Sequence, residues 1–158
     1  MKLTFYKILG IWQILSMKKN KALSIKDINI GDTAQFTVRV EDADISNFAL
    51  LSKDISAIHM DQAIAKDAGF DDRVVHGALV ASYFSAIVGV YLPGDTALLM
   101  KAENKFHSPT YPNMNLHISG VVSEVHAALD CIEISMKAID DFGRRLVSGK
   151  WLVRVRGS

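Results

Sequence analysis

The chain has 158 residues, is 49% hydrophobic and 22% charged, and carries 18 basic and 17 acidic side chains for a net charge of +1. Such a chain fits one domain with a full core and is not disordered. The even charge argues against nucleic acid or an acidic membrane surface as partner. A single cysteine, Cys131, excludes an intramolecular disulfide and suits a reducing cytoplasm, so a cytoplasmic location is expected. Cys131 reads as a small strand residue rather than a nucleophile.

Residues 1–21 read as an N-terminal extension, and residues 22–158 as the domain. Ile8 to Met17 is apolar apart from Gly10, Gln13 and Ser16, too short to span a bilayer. Lys18, Lys19 and Lys21 follow it without an A-x-A site, which argues against a signal peptide. Met17 before the lysine-rich run suggests a second start, with residues 1–16 dispensable.

Ile28 to Asp32, INIGD, reads as a turn. Thr33 to Val40 then alternates, with Ala34, Phe36, Val38 and Val40 on one face and Thr33, Gln35, Thr37 and Arg39 on the other. That is a half-buried strand. Glu41, Asp42 and Asp44 suit a helix N-terminus, and Ile45, Phe48, Ala49 and Leu51 continue at helical spacing to about Lys53. A short helix fits Asp61 to Ala68, stopped by Gly69. Gly77 to Tyr91, GALVASYFSAIVGVY, has no charge and ends at Leu92-Pro93-Gly94. It reads as a buried helix whose Ala81, Ser82, Ser85, Ala86 and Gly89 allow close packing. Strands are expected at about 97–107, 115–125, 131–139 and 146–156, with a hairpin turn at Asp140 to Gly143. The order gives an α+β domain: an antiparallel sheet wrapped around one hydrophobic helix, with a helical insert after the first strand. The sheet covers one side of the helix, so a homodimer that extends the sheet is expected.

Two stretches carry candidate chemistry. Ser52 to Asp61, SKDISAIHMD, places Asp54 and His59 five residues apart. On one continuous helix they point about 140° apart and cannot cooperate. They converge only if the chain leaves the helix between them, which Ser56 can encourage by bonding its own backbone. By spacing alone the pair is either a proton-moving dyad or two residues on a surface turn. In Val74 to Val80, VVHGALV, His76 and Gly77 sit where the buried helix begins. Unpaired N–H groups there can form an oxyanion hole, or Gly77 can simply ease a loop-to-helix junction.

Taken together, Phe48 to Gly94 resembles the MaoC-like, (R)-specific enoyl-CoA hydratases of the hotdog fold, whose motif reads roughly G-D-x-N-P-x-H and is followed about sixteen residues on by V-H-G. Asp54 and His59 fall on the motif's catalytic positions, and Val75-His76-Gly77 on the helix opening. Phe106 to Val122 resembles the family's next strand pair. Lys53 replaces the motif glycine, Ser56 its asparagine and Ala57 its proline. Asn113-Met114 replaces a later Gly-Asp.

The resemblance implies reversible hydration of a trans-2-enoyl thioester to an (R)-3-hydroxyacyl thioester. A carboxylate (ordinary pKa about 3.9) and an imidazole (about 6.5) would share one water, while the Gly77 N–H would hold the thioester oxygen. It further implies that Ser56, His76, Ser85, Val88 and Leu152 meet the substrate, the last three lining an acyl tunnel. No metal or redox cofactor is required. The acyl group would ride on CoA or acyl carrier protein, whose phosphates Lys53, Arg73 or Lys101 could meet. His107, His117 and His126 are spaced ten and nine apart, which matches no compact zinc motif. A hotdog thioesterase and a non-catalytic acyl-thioester-binding protein remain as alternatives.

Overall fold

The structure, a computed structural model, describes residues 22–157. The expectation for residues 1–16 lies outside them. Five strands form one sheet: β1 Thr33–Arg39, β2 Ala97–Phe106, β3 Asn115–His126, β4 Cys131–Ile139 and β5 Arg145–Val155. All neighbours pair antiparallel, in the order β1-β3-β4-β5-β2. Period-two alternation decides which side chains enter the core. In β4, Ile132, Ile134, Met136 and Ala138 are buried; in β5, Trp151, Val153 and Val155 are. The turn between β4 and β5 is pinned by Asp140, whose buried carboxylate accepts from the Phe142 and Arg144 N–H groups. Cys131 is a buried strand residue, as expected.

The apolar run at 77–91 lies against the inner face of the sheet. It was expected as one helix and forms three segments: α4 Gly77–Ser82, α5 Phe84–Ala86 and a π turn Ile87–Tyr91. The Ser82 hydroxyl bonds the Leu79 carbonyl at 2.7 Å, competing with the backbone ladder near the first break. The Leu92 N–H reaches five residues back to Ile87 at 2.8 Å, which closes the π turn. Phe84, fully buried, meets Trp151 edge-on at 5.9 Å. The helix approaches β3 closely at Gly120, where a Cβ would stand 2.6 Å from Ile87 Cγ2. The sheet covers one side of this helix, while Ala78, Ser82, Ser85 and Gly89 are exposed on the other.

Between β1 and the central helix run three short helices, α1 Asp42–Ser52, α2 Ala57–Met60 and α3 Gln62–Asp67. Asp61 caps α3 by accepting from the Ala63 and Ile64 N–H groups. No helix of the described residues is long and apolar enough to cross a membrane.

Candidate functional site

The site is built by the way α1 stops. Lys53 takes a left-handed conformation, φ +66°, which turns the chain out of the helix before Asp54. The Asp54 N–H donates to the Ser52 hydroxyl, and Asp54 Oδ1 accepts from the Ser56 N–H at 3.1 Å. The carboxylate, not the Ser56 hydroxyl, therefore shapes this turn; Ser56 makes no side-chain cap bond and is exposed. One turn of α2 then carries His59 back toward Asp54.

His59 is fixed by the segment before the central helix. The Val74 N–H donates to the Ile58 carbonyl, and His59 Nδ1 lies 2.5 Å from the Val74 carbonyl. A carbonyl only accepts, so Nδ1 carries the proton and the Nε2 lone pair is left facing Asp54. Nε2 lies 3.9 Å from Asp54 Oδ2. A water oxygen about 2.8 Å from both atoms fits beside the line joining them. The His59 side chain is 12% exposed and that of Asp54 51%.

His59 and Gly77 line one cavity of about 590 Å³, with Phe70, Phe106, His107 and Thr110 among its walls. Gly77 is the first residue of α4, so its N–H has no intrahelical partner. A Cβ at Gly77 would stand 2.8 Å from the Phe106 ring, so a larger residue here would have to displace that ring.

The other expected residues are not all at this cavity. His76 is buried at 2% exposure and lies behind His59, its ring stacked at 3.9 Å. Val88 is in the core and Ser85 on the exposed helix face. Leu152 points away from the central helix: strand alternation sends Trp151 and Val153 inward and sets Leu152 beside Lys101 and Glu133. Neither Leu152, Val88 nor Ser85 lines the cavity at His59. Arg73 is paired with Asp42, and Lys101 with Glu103. Sequence reasoning gave no role to Phe106, His107 or Thr110. Phe106 is the last residue of β2 and His107 and Thr110 follow it, and no local period there marks a cavity wall; His107 was weighed only as a zinc ligand. His107 Nε2 lies 2.7 Å from the Ser148 hydroxyl. His117 and His126 pair instead with Asp141 and Glu124.

Asp54, His59 and His76 offer ligand atoms within 4.8 Å of one another. Imidazole lone pairs lie in the ring plane. Two rings stacked at 28° send them side by side rather than to one point, which is poor geometry for one ion.

The fold and site define a hotdog-type domain with a carboxylate–imidazole pair beside a helix opening. A family model for the MaoC-like domain matches residues 26–139, and the chain belongs to that family. The (R)-specific enoyl-CoA hydratase of Aeromonas caviae is 26% identical over 133 residues, 84% of this chain and 99% of that one. The mitochondrial 3-hydroxyacyl-[acyl-carrier-protein] dehydratase of Arabidopsis thaliana is 36% identical over 84 residues, 53% of this chain and 49% of its own. The solved (R)-hydratase of A. caviae superposes with a TM-score of 0.79 at 25% identity, covering 82% of this chain and 98% of its own. The chain is thus a hydro-lyase of the hydratase and dehydratase type.

The departures from the motif now have a geometry. Lys53 and Asn113 stand where the family pattern has glycine, and both are left-handed, with φ +66°. Asparagine tolerates that region well; lysine does so at a cost. Ala57 is the first residue of α2, a position suited to the proline it replaces.

Proposed function

We propose that the protein hydrates trans-2-enoyl thioesters to (R)-3-hydroxyacyl thioesters, or runs the reverse dehydration, on CoA or acyl-carrier-protein substrates. The observation that carries this reading is the approach of Asp54 Oδ2 to a correctly tautomerised His59 Nε2 at 3.9 Å, with Gly77 in the same cavity wall.

In the hydration direction one water sits between the two side chains. Asp54 accepts a hydrogen bond from it and orients its oxygen toward C3 of the enoyl group. The His59 Nε2 lone pair takes one proton as the C3–O bond forms. Electrons of the double bond move toward the thioester carbonyl, whose oxygen accepts from the Gly77 N–H. A donor at such an oxygen is typically worth about 3–4 kcal/mol. C2 then takes up a proton from His59, so the water's OH and H are both delivered from the face that the dyad occupies. The chemistry as written requires no metal or redox cofactor.

The active form is read as a homodimer. Edge strand β2 is exposed along both faces, with Leu98, Leu99 and Met100 between 44% and 49% accessible. Exposed edges of this kind pair with another strand. The open helix face of Ala78, Ser82, Ser85 and Gly89 lets a second helix approach closely. Ser85 would then lie at the seam between the two helices, while Val88 stays in the core of its own domain.

The test is loss of enoyl absorbance with crotonyl-CoA in the wild type, Asp54→Asn and His59→Ala. Each variant is expected to lose about 10²-fold or more. A wild type silent on short, medium and carrier-bound enoyl thioesters would sink the reading in favour of a binding protein. Release of free thiol would favour a thioesterase.

A further inference from the structure

We infer that His76 is a positioning residue: its ring sets Asp54 and His59 from behind and does not touch the substrate. The inference rests on the hydratase reading and departs from the expected substrate contact.

His76 is buried, and the cavity that holds His59 and Gly77 is not lined by it. Its Nε2 lies 2.9 Å from the backbone carbonyl of Asp54. Since that carbonyl only accepts, Nε2 carries the proton and donates. The bond grips the one residue that follows the left-handed turn at Lys53, just where the chain leaves α1. Asp54 is thus held at three points: its backbone by the Ser52 hydroxyl and the His76 ring, and its carboxylate by the Ser56 N–H.

The ring faces do a second job. One face of His76 lies 3.9 Å from the His59 ring at 28°, and Phe48 tilts against His76 at 5.2 Å and 55°. Phe48, His76 and His59 form a column from the core to the cavity. His59 cannot swing back from Asp54 without striking it.

This placement has a cost. Nδ1 of His76 is buried and has no hydrogen-bond partner among the described residues. A buried polar atom left so is unfavourable, and a phenylalanine would fill the same column without it. Packing alone therefore does not account for histidine here. The Nε2–H bond to Asp54 is the feature an apolar ring cannot supply.

Two variants separate the parts. His76→Phe keeps a ring in the column and deletes the donor. His76→Gln deletes the ring and keeps an amide N–H of similar reach. In the enoyl-thioester assay, His76→Phe is expected to lose about 10²-fold in kcat, as small misplacements at a site do. Its KM should stay within about threefold, since uniform binding is untouched. His76→Gln is expected to recover at least about tenfold of that loss, with both variants folded by circular dichroism. A raised KM at unchanged kcat would mark His76 as a substrate contact and overturn the inference. So would equal losses in the two variants. The hydratase reading can fail separately, as a wild type inactive on every enoyl thioester. The inference then stands or falls on ring ¹⁵N spectra of the wild type: a single Nε2–H tautomer for His76 supports it, and an Nδ1–H or mixed tautomer overturns it.

Discussion

The sheet and its central helix are held in a different way from the segment that carries the dyad. In β4 alone, Cys131, Ile132, Ile134, Met136 and Ala138 are buried; from Leu50 to Val74 only Ala65 is. The first region is stabilised by apolar area, which is additive and indifferent to direction. The second depends on directed bonds: a left-handed Lys53, a carboxylate turn at Asp54, a cap at Asp61, and carbonyls that fix two imidazoles. The lesson is that stability and chemistry are separable here. Core changes should unfold the protein, whereas dyad changes should silence it while leaving it folded.

The sharpest stability test is Phe84→Ala. Phe84 is fully buried against Trp151, so its loss should cost about 3–5 kcal/mol, measured by urea unfolding. A cost under about 1 kcal/mol would break the comparison, since His59→Ala is expected to stay near the wild type in the same experiment. Asp61→Ala removes the α3 cap and two accepted bonds. It should cost about 1 kcal/mol and show its largest rise in amide exchange over residues 62–67, not in the sheet.

Lys53→Gly tests the turn in the opposite direction. It relieves a left-handed lysine and should raise stability by up to about 1 kcal/mol, with kcat within about threefold of the wild type. A large fall in kcat would mean that the Lys53 side chain, not the backbone, matters to the site.

The smallest effect is on the sheet surface. The hydrogen bond from Lys150 holds the Glu133 carboxyl below the usual range, helped by Ser123 and opposed by partial burial. A depressed carboxyl stabilises the fold above its unfolded pKa, and that contribution is lost as the pH falls through the folded value. Glu133→Gln should therefore lower Tm slightly near neutrality, with the gap closing in acid. A gap that widens in acid would contradict the sign.

Much of the frame was legible in the sequence. Strict alternation in β1, β4 and β5 marked the strands, because a pleated strand exposes every second residue to one face. Fifteen uncharged residues marked the central helix. Asp140 and Gly143 marked the hairpin between β4 and β5. The dyad was legible only as a pair of residue types, since its spacing on a continuous helix set the side chains apart. The resemblance supplied the rest.

What the sequence determined by itself was the layer pattern: which residues are apolar, at which period, and where punctuation falls. That pattern is local, so it can be read one window at a time. The tertiary structure alone decided that Asp54 and His59 meet, that His59 presents Nε2, and that His76 stands behind both. Those facts rest on carbonyls of Val74 and Asp54 reached across 15 and 22 residues. It also decided that Leu152 faces outward beside Lys101 and Glu133. Contacts across such separations depend on how the chain returns on itself, and no local period encodes that.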